Sequence, residues 1–295
     1  MNASKVTPKV RCRAIAEADI AAVAELLCRG FHGRSRDYWL RGLARQGERD
    51  IPEGYPRYGY LLESEQALVG VLLLLYAEHV EDGEAFLRCN VSSWYVEPEF
   101  RNYATLLTSM AQKNKHVTYV NISPAANTWP IIEAQGFKRY CSGMYFALPW
   151  LSRSAAPARV ERVTAATSEI AGLPTADLDL LKSHADYGCL SLVCRIGDQV
   201  EPFIFVPKRV RHGRFPFPAM QLVYSRDIGS FVRCAGALGR ALLRRAMPMV
   251  IVDSNGPIDG LVGFYSASRG RKYFKGPHPP RLADLTETEL VLYGP

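Results

Sequence analysis

The sequence predicts two α/β domains with mixed sheets, arranged in tandem. Three observations carry this expectation. The chain has 295 residues, about two domains of ordinary size. Strand-like apolar runs alternate with helical stripes in both halves, in a loosely repeated order. Near the midpoint, residues 149–158 are rich in Pro, Ser and Ala and show no periodicity, so they read as a linker. The expected division is a first domain at 1–149, a linker at 150–158 and a second domain at 159–295.

In the first half, residues 10–14 read as a short strand and 18–29 as a helix. The helix has an apolar stripe at Ile20, Val23, Ala24, Leu27 and Cys28, matching the 3.6-residue period. A second helix is expected near 37–46, closed by the Gly/Pro-rich stretch 52–56. Residues 58–63 and 67–76 read as two strands joined by the turn Ser64-Glu65-Gln66, and 86–96 as a third that stops at Pro98. The period turns helical over 101–113. A strand at 117–122, a short helix at 128–135 and extended chain from Gly136 follow, with 145–148 as the closing strand of this sheet.

The second half repeats the outline. Strands are expected at 190–196, 201–206, 220–224, 249–252 and 289–293, with a helix over 228–245. Residues 207–218 carry three prolines and read as a basic loop, too proline-rich for a simple hairpin.

Composition excludes several classes. The chain is 48% hydrophobic and 22% charged, near the globular average and unlike a disordered one. The longest apolar run, 67–77, is well short of the roughly 20 residues that cross a bilayer. The N-terminus has no apolar core of a signal peptide. Seven cysteines without C-x-x-C spacing read as free thiols in a reducing cytoplasm, and the scattered histidines give no metal-ligand spacing. The net charge of +7 is uneven: the first 150 residues hold 17 Lys/Arg against 16 Asp/Glu, the rest 19 against 13. Such a basic half attracts anions, phosphate-bearing molecules or acidic surfaces.

The informative segment is Trp94-Tyr95-Val96-Glu97-Pro98-Glu99-Phe100-Arg101-Asn102-Tyr103-Ala104-Thr105-Leu106-Leu107. A strand ends at a proline and a helix opens directly after. The unpaired N–H groups and positive dipole end of a helix start suit an anion, and Arg101 adds a charge. With the order of elements and the later Gly136-Phe137, this V-x-P-x-x-R run resembles the GNAT superfamily of acyl-CoA-dependent N-acyltransferases over residues 10–148. Val96, Pro98 and Arg101 match the family's Val-x-Pro-x-x-(Arg/Gln)-x-x-Gly-x-(Gly/Ala) run. Ala104 and Leu106 stand in the two glycine positions.

The resemblance implies an α/β fold with a mixed sheet, two such domains in tandem, the second degenerate, and acetyl-CoA or another acyl-CoA as cofactor. It places the cofactor at Tyr95, Val96, Arg101, Asn102, Tyr103, Ala104 and Thr105, with an oxyanion donor at a backbone N–H around Tyr95 or Val96. A splay in the sheet would receive the pantetheine arm. The family's usual tyrosine acid falls at Ile132, so no catalytic residue is assigned. Tyr140 and Tyr145 are the other acid candidates, each weighed against a packed core tyrosine. In the second half the equivalent junction, 224–229, lacks the motif, and Asp227 there repels phosphate, so CoA binding is not expected.

Three function classes remain: an acyltransferase acting on a small-molecule or peptide amine, a non-catalytic acyl-CoA-binding or sensing protein, and a nucleic-acid-binding protein using the basic half. No nucleic-acid motif supports the last. Lys208, Arg209, Arg211 and Arg214 are expected to border the cleft between the halves and to draw an anionic acceptor.

Overall fold

The structure is a computed structural model that describes residues 9–65, 67–81, 83–152, 157–212 and 215–294. Gln66 of the first expected turn, residues 153–156 of the expected linker and Arg214 lie outside the described residues. The chain groups into two compact units. One holds residues 1–121 with 275–279, the other 122–274 with 280–295.

In the first unit, strands β1 (Val10–Ala14), β2 (Gly59–Ser64), β3 (Ala67–Glu81), β4 (Glu84–Val96) and β5 (Thr118–Asn121) lie side by side in chain order. All neighbours are antiparallel except β4 and β5, which are parallel. The apolar run of β3 is buried without interruption from Val69 to Ala77, as a central strand covered on both faces requires. Helix α1 (Ile20–Gly30) buries Val23, Ala24, Leu26 and Leu27. Helix α2 (Arg36–Glu48) starts where the Ser35 hydroxyl accepts the Tyr38 N–H at 3.2 Å, satisfying one of the orphan donors of a helix start. Gln46 on α2 is fully buried and donates to the carbonyls of Arg57 and Leu74, each at 2.8 Å. Helix α3 (Ala104–Ala111) follows β4.

The second unit contains α4 (Trp129–Ala134), β6 (Lys138–Cys141), β7 (Gly143–Ala147), β8 (Ala158–Val163), α5 (Thr175–Asp186) and β9 (Leu190–Ile196). There follow β10 (Gln199–His212), β11 (Phe215–Ser225), α6 (Ile228–Leu243), β12 (Met249–Ser254), β13 (Gly263–Ser266), β14 (Lys272–Lys275) and α7 (Glu289–Leu292). Seven strands form a mixed sheet in the order β13-β7-β12-β11-β10-β9-β8. Helix α6 is buried on most of its circumference. Its Phe231, Cys234, Ala235, Leu238 and Leu242 join Phe203, Phe205, Leu222 and Val252 of the sheet in one core.

Three expectations change here. Residues 207–218 are not a loop: β10 and β11 pair continuously from Phe203↔Ser225 to His212↔Phe215. Strand β9 pairs β10 only as far as Phe205, and β12 pairs β11 only over Ala219–Gln221. Beyond those limits no strand among the described residues pairs with the outer edges of β10 and β11, where Pro207, Pro216 and Pro218 break no ladder. The apolar residues near the C-terminus form the short helix α7 rather than a strand. The third change concerns β7. It pairs on one side with β12 (Val250↔Ala147 to Ser254↔Gly143) and on the other with β13 (Gly263↔Ala147 to Ser266↔Met144), so it belongs to the sheet of the second unit.

The repeat is physical as well as sequential. Elements β1 to β7 recur in order as β8 to β14, with α3 between the fourth and fifth strands matched by α6. The two runs trade their last strands. The seventh strand of the first run, β7, sits between the fifth and sixth of the second, and β14 pairs antiparallel with β6 of the first.

Candidate active site

The site begins with how β4 ends. Its parallel pairing to β5 covers only Arg88↔Thr118, Cys89↔Tyr119 and Asn90↔Val120, so β5 leaves the edge of β4 from Val91 onward. The Asn90 side-chain amide donates to the Val120 carbonyl at 3.2 Å, at the point where the strands part. On its other side β4 pairs with β3, and here the register slips: Leu73 faces Ser92, but Val71 faces Tyr95. Two residues, Ser93 and Trp94, thus oppose one. Such a bulge bends a strand and takes its extra residue out of the ladder. Ser93 sits at φ 44°, a left-handed conformation rare for a non-glycine and common at functional sites. The doubled polar pair Ser92-Ser93 in N-V-S-S-W is the local sequence mark of this bulge. Alternation of faces along β4 therefore holds only up to Ser92.

Beyond the bulge the chain is held firmly. The Glu97 N–H donates to the Val69 carbonyl at 2.8 Å. The Glu97 carboxylate accepts from Arg29 Nε at 2.7 Å and from the Tyr95 hydroxyl at 2.8 Å. Burial raises the Glu97 carboxyl, but the bonds from Arg29 and Tyr95 outweigh it and hold the group below its ordinary value. Burial, reinforced by Glu97, pushes the Tyr95 hydroxyl up, so it stays protonated as the donor of this bond. The Tyr95 ring lies over Gly30 at the end of α1, where an added Cβ would come within 2.4 Å of it. The Tyr95 side chain is thus a structural strut, and only its backbone remains a candidate for work on a ligand. Val96 is buried.

Residues Pro98–Tyr103 form a short 3-10 turn that runs directly into α3. Arg101, Asn102 and Thr105 are exposed, and Tyr103 and Ala104 half-buried. The α-helix starts three residues later than the sequence suggests, because Pro98 sets the tighter turn first. Leu106, which stands where the family keeps a glycine, is 40% exposed, so its bulk is directed away from the core. The structure therefore brings Arg101, Asn102 and Thr105 to one accessible junction after a strand edge that β5 leaves free. This fits an extended ligand with an anionic end.

Other candidates are occupied elsewhere. Ile132 is a core residue, 4% exposed. The Tyr145 hydroxyl donates to the Leu261 carbonyl at 2.8 Å, is buried and has its acidity pushed down by that burial. Lys208 and Arg209 lie on β10, the first half-buried and the second exposed. Arg211 lies further along that strand, with its side chain outside the described set.

The second unit repeats the same parting of strands. Strand β11 pairs with β12 over Ala219↔Met249 to Gln221↔Ile251 only, and its register against β10 slips by one residue at Val223. Its helix start differs. The Asp227 side chain accepts from Ser230 N–H at 2.7 Å and Ser230 Oγ at 2.9 Å. Burial works against its charge, yet these bonds hold its carboxyl below the ordinary value.

Two solved structures span nearly the whole chain. A GCN5-related N-acetyltransferase from Anabaena variabilis is 13% identical, with a TM-score of 0.58 over 90% of this chain and 72% of that one. A GCN5-related N-acetyltransferase from Kribbella flavida is 14% identical, with a TM-score of 0.57 over 92% and 72%. The fold is that of the GCN5-related N-acetyltransferases, present twice in tandem. A third protein with this fold, Eis1 from Mycobacterium abscessus, is 14% identical with a TM-score of 0.51 over 94% and 74%. No protein-family model matches the chain, and no curated protein matches it in sequence. Among the described residues, no helix is long and apolar enough to cross a membrane.

Proposed function

We propose that the chain is an acyl-CoA-dependent N-acyltransferase whose first half, 1–149, handles acetyl-CoA or another acyl-CoA, with 159–295 as a degenerate second domain joined through 150–158. The observation that carries this reading is the end of β4: a bulge at Ser93, an edge from which β5 departs after Asn90, and an exposed Arg101 at the turn into α3. The pantetheine arm follows that edge, and the pyrophosphate rests on Arg101 and the backbone of Asn102, Tyr103, Ala104 and Thr105. A backbone N–H around Tyr95 or Val96 faces the thioester oxygen.

In the reaction a neutral amine of the acceptor forms the new C–N bond as the C–S bond breaks. The ammonium proton leaves to solvent and the departing thiolate takes one back. No side chain is assigned to either transfer, since Ile132 cannot titrate. That same residue favours one second reading, a non-catalytic acyl-CoA-binding or sensing protein. The acceptor is a small-molecule or peptide amine, and an anionic one suits Lys208, Arg209, Arg211 and Arg214. Seven free cysteines accord with a cytoplasmic setting.

The deciding experiment is thermal stabilisation by a CoA and acyl-CoA panel, followed by release of free thiol with candidate amines. A ligand at 100 times its Kd adds about 2.7 kcal/mol. No shift at millimolar CoA overturns both readings, and a shift without turnover selects the second. Arg101→Glu is expected to weaken CoA binding about tenfold, because it puts a negative charge beside the pyrophosphate at a helix start. Equal affinity would move the cofactor away from this junction. Changing Lys208, Arg209, Arg211 and Arg214 to Gln is expected to raise the acceptor KM several-fold and flatten its salt dependence, with CoA affinity unchanged. An unchanged KM would remove the hairpin from acceptor recognition.

A further inference from the structure

The freed edge of β11 in the second unit is not empty. One edge of β11 belongs to β10, which pairs Phe203 with Ser225 and Ile204 with Tyr224. Strand β12 holds the opposite edge only as far as Gln221. Past that point the C-terminal segment of the chain takes over. The Leu285 N–H donates to the Val223 carbonyl at 2.8 Å, and the Ser225 N–H donates to the Ala283 carbonyl at 3.1 Å. Together they make an antiparallel bridge between Tyr224 and Asp284. A strand has two edges, so this segment lies on the one that β12 abandons.

Several contacts fasten the segment. Arg281 Nη1 donates to the carbonyls of Ser225 at 2.6 Å and Arg226 at 3.0 Å, and its guanidinium lies 5.1 Å from the centre of the Tyr224 ring. Ala283 and Leu285 are each 2% exposed, and Val291 and Leu292 are buried. Ala283 holds φ 58°, a left-handed conformation disfavoured for a residue with a Cβ, which persists only where the surroundings over-determine it. At the adjoining helix start, Asp227 already supplies a negative charge to the N-terminus of α6. This is where the first unit keeps an exposed Arg101.

We propose that residues 281–285 are a resident internal ligand of the second sheet. Their backbone occupies along β11 the path that the pantetheine arm takes along β4, Asp227 occupies the anion position, and the chain consequently holds one acyl-CoA. The stoichiometry rests on the acyl-CoA reading; the occupancy of the β11 edge does not. The mode is strand addition, in which main-chain hydrogen bonds to an exposed edge supply the affinity, here within one molecule.

The test is amide hydrogen exchange on the full chain with and without saturating CoA, together with calorimetric stoichiometry. The Ser225 and Leu285 amides are expected to be protected at least ~100-fold relative to open chain, with the protection unchanged by CoA and one CoA bound per chain. Arg281→Ala is expected to raise exchange at both amides while the stoichiometry stays at one. Open-chain exchange at Ser225 and Leu285 in the wild type overturns the proposal. So does loss of their protection on adding CoA, or two CoA per chain. If no CoA binds while protection persists, the acyl-CoA reading fails and the internal ligand stands. If Arg281→Ala does not fold, the wild-type measurements decide alone.

Discussion

Lys272→Ala is expected to cost about 3–5 kcal/mol of stability, the range for breaking a buried ion pair from one side. Lys272 on β14 and Asp253 on β12 are 2% exposed each, and Lys272 Nζ lies 2.8 Å from Asp253 Oδ1. Few other groups share the charge: Gln221 Nε2 reaches the same oxygen at 3.5 Å, and Nζ lies 3.4 Å from the Gly270 carbonyl. Truncating the lysine leaves a carboxylate with little to balance it in a site closed to water. The double change Asp253→Leu with Lys272→Met removes both charges and is expected to recover most of the loss. Urea unfolding of the wild type, the single variant and the double variant measures this. A single-variant loss under about 1 kcal/mol, the size of an exposed pair, would mean that water reaches the site.

Gly239→Ala is expected to destabilise by about 3 kcal/mol, near the upper end for overpacking. A Cβ at this position of α6 would stand 2.2 Å from the Trp150 nitrogen and 2.4 Å from the Pro149 carbonyl carbon. Both are backbone atoms and cannot swing aside. The clash acts against the gain of about 1 kcal/mol that alanine brings to a helix interior. Gly256→Ala is the control, since an added Cβ there meets nothing within 4 Å; its change is expected within about 0.5 kcal/mol. A stabilised Gly239→Ala would show that the chain at 149–151 yields, as a loose connector does.

Much of the architecture is legible in the chain because its signals are local. The run 67–77 is too apolar to be anything but a central strand, and Pro98 followed by Arg101 marks a strand-to-helix junction. What escapes the sequence depends on partners far away. Residues 143–147 have the pattern of a strand, but nothing local says that their neighbours are 249–254 and 263–266. The prolines of 207–218 argue against a strand until the ends of β9 and β12 show that this stretch has free edges. The bulge at Ser93 leaves only a faint mark, the doubled Ser92-Ser93 in an otherwise alternating run, because a slip of one residue leaves composition unchanged. Helix α5 was within reach: Leu178, Leu181 and His184 recur at three-residue intervals and are all buried. The four apolar-rich residues of α7 are too few to tell helix from strand by period.

The traded strands also set an order of events as the chain is made. Strand β7 ends at Ala147, and its first partner, β12, opens at Met249. At about 5–20 residues per second, the ribosome needs roughly 5–20 s to deliver that partner. Throughout this interval Tyr145, Phe146 and Ala147, all buried in the finished protein, have no sheet to enter, and an unpaired apolar strand is a template for pairing with other chains. Strand β6 waits longer still for β14. Both strands wait on residues 249–275, so the chain depends on the cell to shield two short strands until those residues are made.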